Sequence, residues 1–346
     1  MLDERWGDDE QALADGLGGL LGKVCDPGAV REAEDQPDGR LARLEAQLDA
    51  FGLWALPPDP GLLAAAAEQV GRALAPVPFP ERAAVHAVAG MDGVWAERGW
   101  ARACGLPAVT AAVDGTLVEA VLGPPRRSVA GDFVAPVTAL GAAVRSTAGA
   151  FAAPVTSLDI PHGAGVGAAD RLRRLVRLLF AARAVGAAAA VVELGVAYAR
   201  ERHQFGRPIG SFQAVAHRLA DAATAVDGAV LAVRKAAWVA RPEQGGDGAP
   251  DSIFAAIVRW KAEEAAEAAV TAVHQVMGGT GFTVEADCQL YSRRIRAWRL
   301  RLEPCRTELA DLARTLLSAE GRAVTRWLWH HERGLPLPRW AEETDA

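Results

Sequence analysis

The apolar residues of this chain recur with two different periods, and the change of period divides it. Over residues 40–52, RLARLEAQLDAFG places Leu41, Leu44, Leu48 and Phe51 three or four apart, the spacing that lines one face of a helix. PDPGLLAAAAEQVGRALAPVPFP follows, a second helix opened by Asp59-Pro60 and closed by a proline cluster; proline suits a first helical turn and cannot continue an interior one. From about residue 105 to 160 the period shortens. PAVTAAVDGTLVEAVLG reads as two strands joined at Asp114-Gly115, a dipeptide that favours a tight hairpin. FVAPVTAL, AAVRST and APVTSLDI are further short β-like runs, split by Gly and Pro.

From Ala168 the helical period returns in longer runs. ADRLRRLVRLLFAARAVGAAAAVVELGVAYARER predicts a helix of about 34 residues, near 50 Å at 1.5 Å per residue. Three more are predicted over 211–240, 252–277 and 307–329, with the glycine-rich loop PEQGGDGAP after the first of them. Four long amphipathic helices in succession predict an antiparallel bundle. The expected fold is mainly α with a small β domain: an N-terminal helical domain over 1–85, a reduced β domain over 86–165 and a C-terminal four-helix bundle over 166–346.

Composition narrows the picture. A chain of 346 residues is too long for one small core, and its alanine-rich apolar content favours helix. A net charge of −6 argues against a nucleic-acid partner. Cys25, Cys104, Cys288 and Cys305 form no CxxC pair, so neither a metal site nor a disulfide framework is expected, and a reducing, cytoplasmic location is. The acidic start MLDERWGDDEQ lacks the apolar core of a signal peptide. Residues 178–199 are long and apolar enough to resemble a membrane span, but they carry Arg183 and Glu193. A helix buried in the bundle, and no membrane partner, is the expectation.

Two stretches carry candidate chemistry. In YARERHQFGRPIGSFQAVAHRLAD (198–221), Gly206 and Pro208 stop one helix, and Ser211 is placed to cap the next. An arginine at such a corner, beside a new helix N-terminus, suits a phosphate; a solvated surface loop is the alternative. In HQVMGGTGFTVEADCQLYSRRIRAW (274–298), a long helix runs into Gly278-Gly279 and then Gly281-Phe282. Paired glycines let backbone approach a ligand or a partner chain closely, although a glycine C-cap would read the same way. The pair follows a helix, which excludes a dinucleotide-binding βαβ fingerprint.

Together the two stretches resemble the acyl-CoA dehydrogenase family, strongly over about residues 165–320 and loosely over the N-terminal helices. The helix–β–helix order matches that family's three-domain fold. The resemblance implies that Arg202 contacts the pyrophosphate of FAD, with Phe205 beside it and Gln213 at the same dinucleotide site. It places Gln275, Gly278 and Gly279 at the ADP half. It also implies a dimer of dimers in which these groups reach an FAD held mainly by the neighbouring subunit, and an acyl-CoA substrate desaturated at its α,β bond.

The chain departs from the family in three ways. No T-E-P…G-S-D-type flavin cradle is found between 86 and 165, and Trp95 and Trp100 do not stand in the family's W-x-T-S context. The two family positions of the catalytic glutamate fall on Leu302 and Val176; Glu303, followed by Pro304, is the one adjacent carboxylate candidate. Arg171, Arg173, Arg174 and Arg177 cluster on the first long helix. Arg177 aligns with a family arginine near the acyl-CoA, against the alternative of a solvated or inter-subunit face. These departures point to the base-lacking partner in an α2β2 acyl-CoA dehydrogenase acting on a bulky, steroid-like CoA thioester. A self-sufficient homo-oligomer and a non-enzymatic acyl-CoA or flavin binder are the competing readings.

Overall fold

A computed structural model describes residues 6–35, 37–77, 79–89, seven strand segments between 109 and 152, and residues 168–242, 249–299 and 305–318. The N-terminal part is helical: α1 Asp8–Val24, α2 Pro27–Asp35, α3 Pro37–Phe51, α4 Pro60–Arg72 and α5 Phe79–Ala89. The leucine spacing of α3 has its reason in packing, since Leu44 and Leu48 are buried with Leu17, Leu21, Leu63 and Phe79. Asp59 caps α4, accepting a hydrogen bond from the Leu62 N–H at 2.9 Å, and Pro60 follows in the first helical turn.

The same Asp59 ties α4 to the bundle. Arg241 Nε donates to Asp59 Oδ2 at 2.9 Å, and its Nη2 also meets Glu10. Burial by itself raises the Asp59 pKa, but the Arg241 guanidinium and the Leu62 N–H outweigh it and hold the carboxyl below its ordinary value. A carboxyl depressed in the folded state stabilises the fold above its unfolded pKa, and that contribution is lost as pH falls through the folded value. Asp59→Asn keeps a capping side chain and removes the charge. It is expected to cost about 1 kcal/mol at neutral pH for this partly exposed pair, a difference that shrinks below about pH 4. Glu68, whose burial raises its pKa, titrates in both proteins and drops out of the comparison. Urea denaturation of both at pH 7 and in acid checks this; a gap of constant size contradicts it.

In the middle segment, β1 Val109–Val113 pairs antiparallel with β2 Thr116–Leu122. Val113 stands opposite Thr116, so the register leaves only Asp114 and Gly115 between the strands, as the hairpin signal predicts. The strand Val137–Ala139 adds to the other side of β2, and two small pairs follow, Arg126–Arg127 with Phe133–Val134 and Val144–Arg145 with Phe151–Ala152. The run APVTSLDI, Trp95 and Trp100 lie outside the described residues.

The C-terminal part comprises α6 Ala168–Glu201, α7 Gln213–Val239, α8 Ala249–Met277, α9 Asp287–Arg299 and α10 Cys305–Leu316. The stretch Arg174–Glu201 is long and apolar enough to cross a membrane, yet 72% of its apolar window is buried inside the protein. It is the central helix, packed on α4, α7 and α8. Where α4 crosses α6 the two backbones touch. A Cβ on Gly186 would lie 2.0 Å from the Glu68 carbonyl oxygen, and one on Gly71 would lie 1.9 Å from that of Arg183. The buried Arg183 guanidinium lies 4.3 Å from the ring centres of both Phe180 and Trp298, joining α6 to α9.

The expected fourth helix needs correction. The periodicity over 307–329 predicts one long helix after the glycine turn. Instead α9 comes first, packed against α6 and α8, and α10 begins at Cys305 and ends at Leu316; residues 319–329 lie outside the described residues. The sequence signal for α9 is weak because its buried positions, Cys288, Leu290, Ile295 and Trp298, are interleaved with arginines, one of which, Arg294, is itself buried.

Candidate functional site at one end of the helical bundle

Three long helices deliver their ends to one place. A Cβ on Gly195 of α6 would lie 2.6 Å from Val273 Cγ2 of α8 and 3.2 Å from Leu219 Cδ2 of α7, so the three helices meet at that level. From it α6 runs on to Glu201, α7 begins at Gln213, and α8 runs on to Met277. At 1.5 Å per residue each terminus is within roughly 10 Å of that level. Arg202, Phe205, Gln213, Gln275, Gly278 and Gly279 therefore share one end of the bundle.

The corner between α6 and α7 is a miniature hairpin. His203 pairs with Pro208 and Gln204 with Arg207, and the Ile209 N–H donates to the Arg202 carbonyl at 2.7 Å. Phe205 and Gly206 form the turn with φ of 53° and 75°. Left-handed backbone at both positions matches the twist of a two-residue hairpin. Glycine adopts it freely; phenylalanine does so at a cost in strain. The Phe205 ring is nonetheless 92% exposed. It meets Phe212 edge-on at 6.1 Å, and the Arg207 guanidinium stacks on the other aromatic at 4.1 Å from the Phe212 centre. A strained backbone that presents an aromatic ring to solvent is the kind of outlier that points to a binding surface.

Ser211 does not cap α7. Its hydroxyl donates to the Pro208 carbonyl at 2.7 Å, and Phe212 holds the N-cap position with no side-chain cap. Ser211 closes the 3-10 turn Ile209–Ser211, one residue short of the cap position, and the α7 N-terminus keeps N–H groups open to an anion. Arg202 and Gln213 are exposed beside it.

At the end of α8, Gln275 is exposed on the last turn. Gly278 has φ 59°, the left-handed geometry of a glycine C-cap, and a 3-10 turn, Gly278–Phe282, follows. A Cβ on Gly278 or Gly279 would meet nothing within 4 Å, so this backbone faces open space. Gly281 is buried, with only 3.1 Å from its missing Cβ to Met277 Cβ. Phe282 and Val284 are 70% and 77% exposed, and the Phe282 ring lies 5.2 Å from that of His274. Burial, helped by the nearby Arg296 charge, lowers the His274 pKa.

Two of the sequence candidates lie apart from this end. Arg177 is half-buried on α6, about 37 Å along the helix axis from Arg202 at 1.5 Å per residue. Val176, the alternative base position, is fully buried. Glu303 and Leu302 lie outside the described residues. Phe212, Arg207 and Val284 carry no motif signal; their part in this surface, like the exposure of Phe282, depends on turn geometry. A groove of about 770 Å³ between α7 and α8, lined by His217, Arg218, Glu263 and Arg299 among others, contains none of the candidates.

This end of the bundle lies within a longer stretch that matches a known domain. The profile of the acyl-CoA dehydrogenase C-terminal domain matches residues 163–301. Residues 163–301 resemble an acyl-CoA dehydrogenase C-terminal domain. Curated relatives are similar over stretches of comparable length. Acyl-CoA dehydrogenase IpdE2 of Mycolicibacterium smegmatis is 40% identical over 135 residues, 39% of this chain and 40% of that protein. Acyl-CoA dehydrogenase FadE34 of Mycobacterium tuberculosis is 42% identical over 125 residues, 36% of this chain and 17% of that protein. The match thus spans two fifths or less of these relatives. Among solved structures, the ChsE4-ChsE5 complex from Mycobacterium tuberculosis superposes with a TM-score of 0.70 at 21% identity, covering 92% of this chain and 100% of that one. A variant of the Tcur3481-Tcur3483 steroid ACAD gives 0.71 at 22% identity with the same coverage. At such identities these likenesses establish the fold alone, over 92% of this chain.

Proposed function

We propose that this chain is a subunit of an FAD-dependent acyl-CoA dehydrogenase, and that it presents the end of its bundle to a flavin held mainly by a second subunit. The observation that carries this reading is the gathering of phosphate-binding groups on an outward surface: the exposed Arg202, the α7 N-terminus without a side-chain cap, and the open backbone of Gly278-Gly279. A guanidinium and free backbone N–H groups are the donors a pyrophosphate requires, so the residues fit the ADP part of FAD. When bound, FAD supplies the hydride acceptor for α,β-desaturation of a CoA thioester. This chain's residues hold and orient: Arg202 by charge, Phe205 and Phe282 by apolar contact at the subunit boundary.

The non-catalytic half of an α2β2 assembly is the favoured role. The sequence supports it through Leu302 and Val176 at the two base positions and through the missing cradle between 86 and 165. The two structural neighbours, each named as a pair of components, agree with it, and the word steroid in one of those names agrees with a bulky CoA thioester as substrate.

The test is flavin content. Purified alone, the chain is expected to carry little or no FAD. Co-expressed with its partner subunit it should give a yellow complex with less than one FAD per chain, read from visible absorbance and protein concentration. A yellow, stoichiometric homo-oligomer from this chain alone overturns the heteromeric assignment.

A further inference from the structure

The double-glycine turn is held by its neighbours. The Gly281 carbonyl accepts from Cys288 Sγ at 3.4 Å, and the Phe282 carbonyl accepts from Gln289 Nε2 at 3.0 Å. Both donors sit in the first turn of α9. The start of α9 is held in turn from the far end of the sequence. Arg31, on α2, donates through Nη2 to the Glu285 carbonyl at 2.9 Å and pairs with Asp287 Oδ1 at 2.8 Å. One guanidinium thus grips both the connection leaving the turn and the first residue of α9. Asp287 is well placed for this grip, since a carboxylate at a helix N-terminus is also favoured by the helix dipole.

We propose that Arg31 is a positioning residue for the double-glycine turn. Through Glu285, Asp287 and the first turn of α9 it sets where the Gly278-Gly279 backbone stands against the ADP half of FAD, and so couples the N-terminal helices to flavin binding at the subunit boundary. The inference rests on the function proposed above. Two observations separate it from a purely structural role. The Arg31–Asp287 side chains are 31% and 36% exposed, a setting in which an ion pair adds little to global stability. The turn it steadies projects outward at Gly278, Gly279, Phe282 and Val284, and the side chains that tie its second half to the rest, Cys288 and Gln289, stand on the helix whose start Arg31 holds. Small displacements of a binding backbone cost affinity steeply, so an anchor of modest stabilising value can have a large effect on binding.

The experiment uses the full chain, tagged and purified from its own host so that its natural assembly accompanies it. FAD retention on dilution, thermal midpoint and amide hydrogen exchange of residues 278–286 are measured for Arg31→Met, Arg31→Lys and Arg202→Ala. The expected result for Arg31→Met is FAD retention weakened about tenfold, faster exchange over 278–286 and a midpoint shift within about 2 °C; Arg31→Lys should recover most of the retention. Unchanged retention and exchange in Arg31→Met, with Arg202→Ala losing flavin, overturns the role of Arg31 alone. Flavin loss that only follows a fall in the midpoint, without rescue by lysine, also overturns it. If Arg202→Ala leaves retention unchanged as well, the bundle end is not a flavin contact and the inference falls with that reading.

Discussion

Gly186→Val is expected to destabilise the chain by about 4 kcal/mol, beyond the 1–3 kcal/mol usual for overpacking. The reason lies in what the new side chain would meet. Side-chain neighbours can move to other rotamers, and much of an overpacking cost is relieved that way. At Gly186 the obstacle is the Glu68 carbonyl 2.0 Å away, with the Arg72 nitrogen at 3.1 Å, and backbone in a helix cannot step aside. The crossing of α4 and α6 has to open, which withdraws Ala64, Ala67 and Val70 from the core they share with Val185 and Ala188. Gly228 on α7 supplies the control: it is exposed, and a Cβ there meets nothing within 4 Å. Gly228→Ala should stabilise by about 0.5–1 kcal/mol through helix propensity. Urea midpoints at constant m-value measure both; a loss under 1 kcal/mol for Gly186→Val would show that the crossing is not tight.

Arg202→Ala is expected to weaken FAD retention in the assembled protein by about 2–3 kcal/mol, roughly 30- to 150-fold, the range for a charge-assisted contact. Folding should be little affected. The side chain is exposed, and what holds the corner at this residue is its carbonyl, which accepts from the Ile209 N–H at 2.7 Å and survives the substitution. The loss should narrow as salt is raised, because an exposed guanidinium is screened by ions. Flavin titration at two ionic strengths reads both effects. Equal flavin content in the two proteins would return Arg202 to a solvated loop.

The sequence by itself determined those features whose causes are local. The long helix Ala168–Glu201 was legible because 34 residues rich in Ala, Leu and Val run without a proline before Gly206 and Pro208. The β hairpin was legible because Asp114-Gly115 is a strong two-residue hairpin signal, and the placing of Arg202, Gln213 and Gln275 beside helix ends because they lie in two short stretches where glycine and proline break the helical period. The tertiary structure decided whatever depends on residues far apart or on competition between near neighbours. Ser211 loses the cap position because the 3-10 turn Ile209–Ser211 carries the start of α7 one residue further, to Phe212. The strain at Phe205 follows from the pairing of Gln204 with Arg207. The roles of Gly71 and Gly186 exist only where two helices cross, and α9, too rich in arginine to announce itself, is fixed by its packing against α6 and α8. Arg31 is the limiting case: nothing in its own stretch marks it, since its partners Glu285 and Asp287 lie more than 250 residues away, and only packing brings a guanidinium from the second helix to the connection that follows the double-glycine turn.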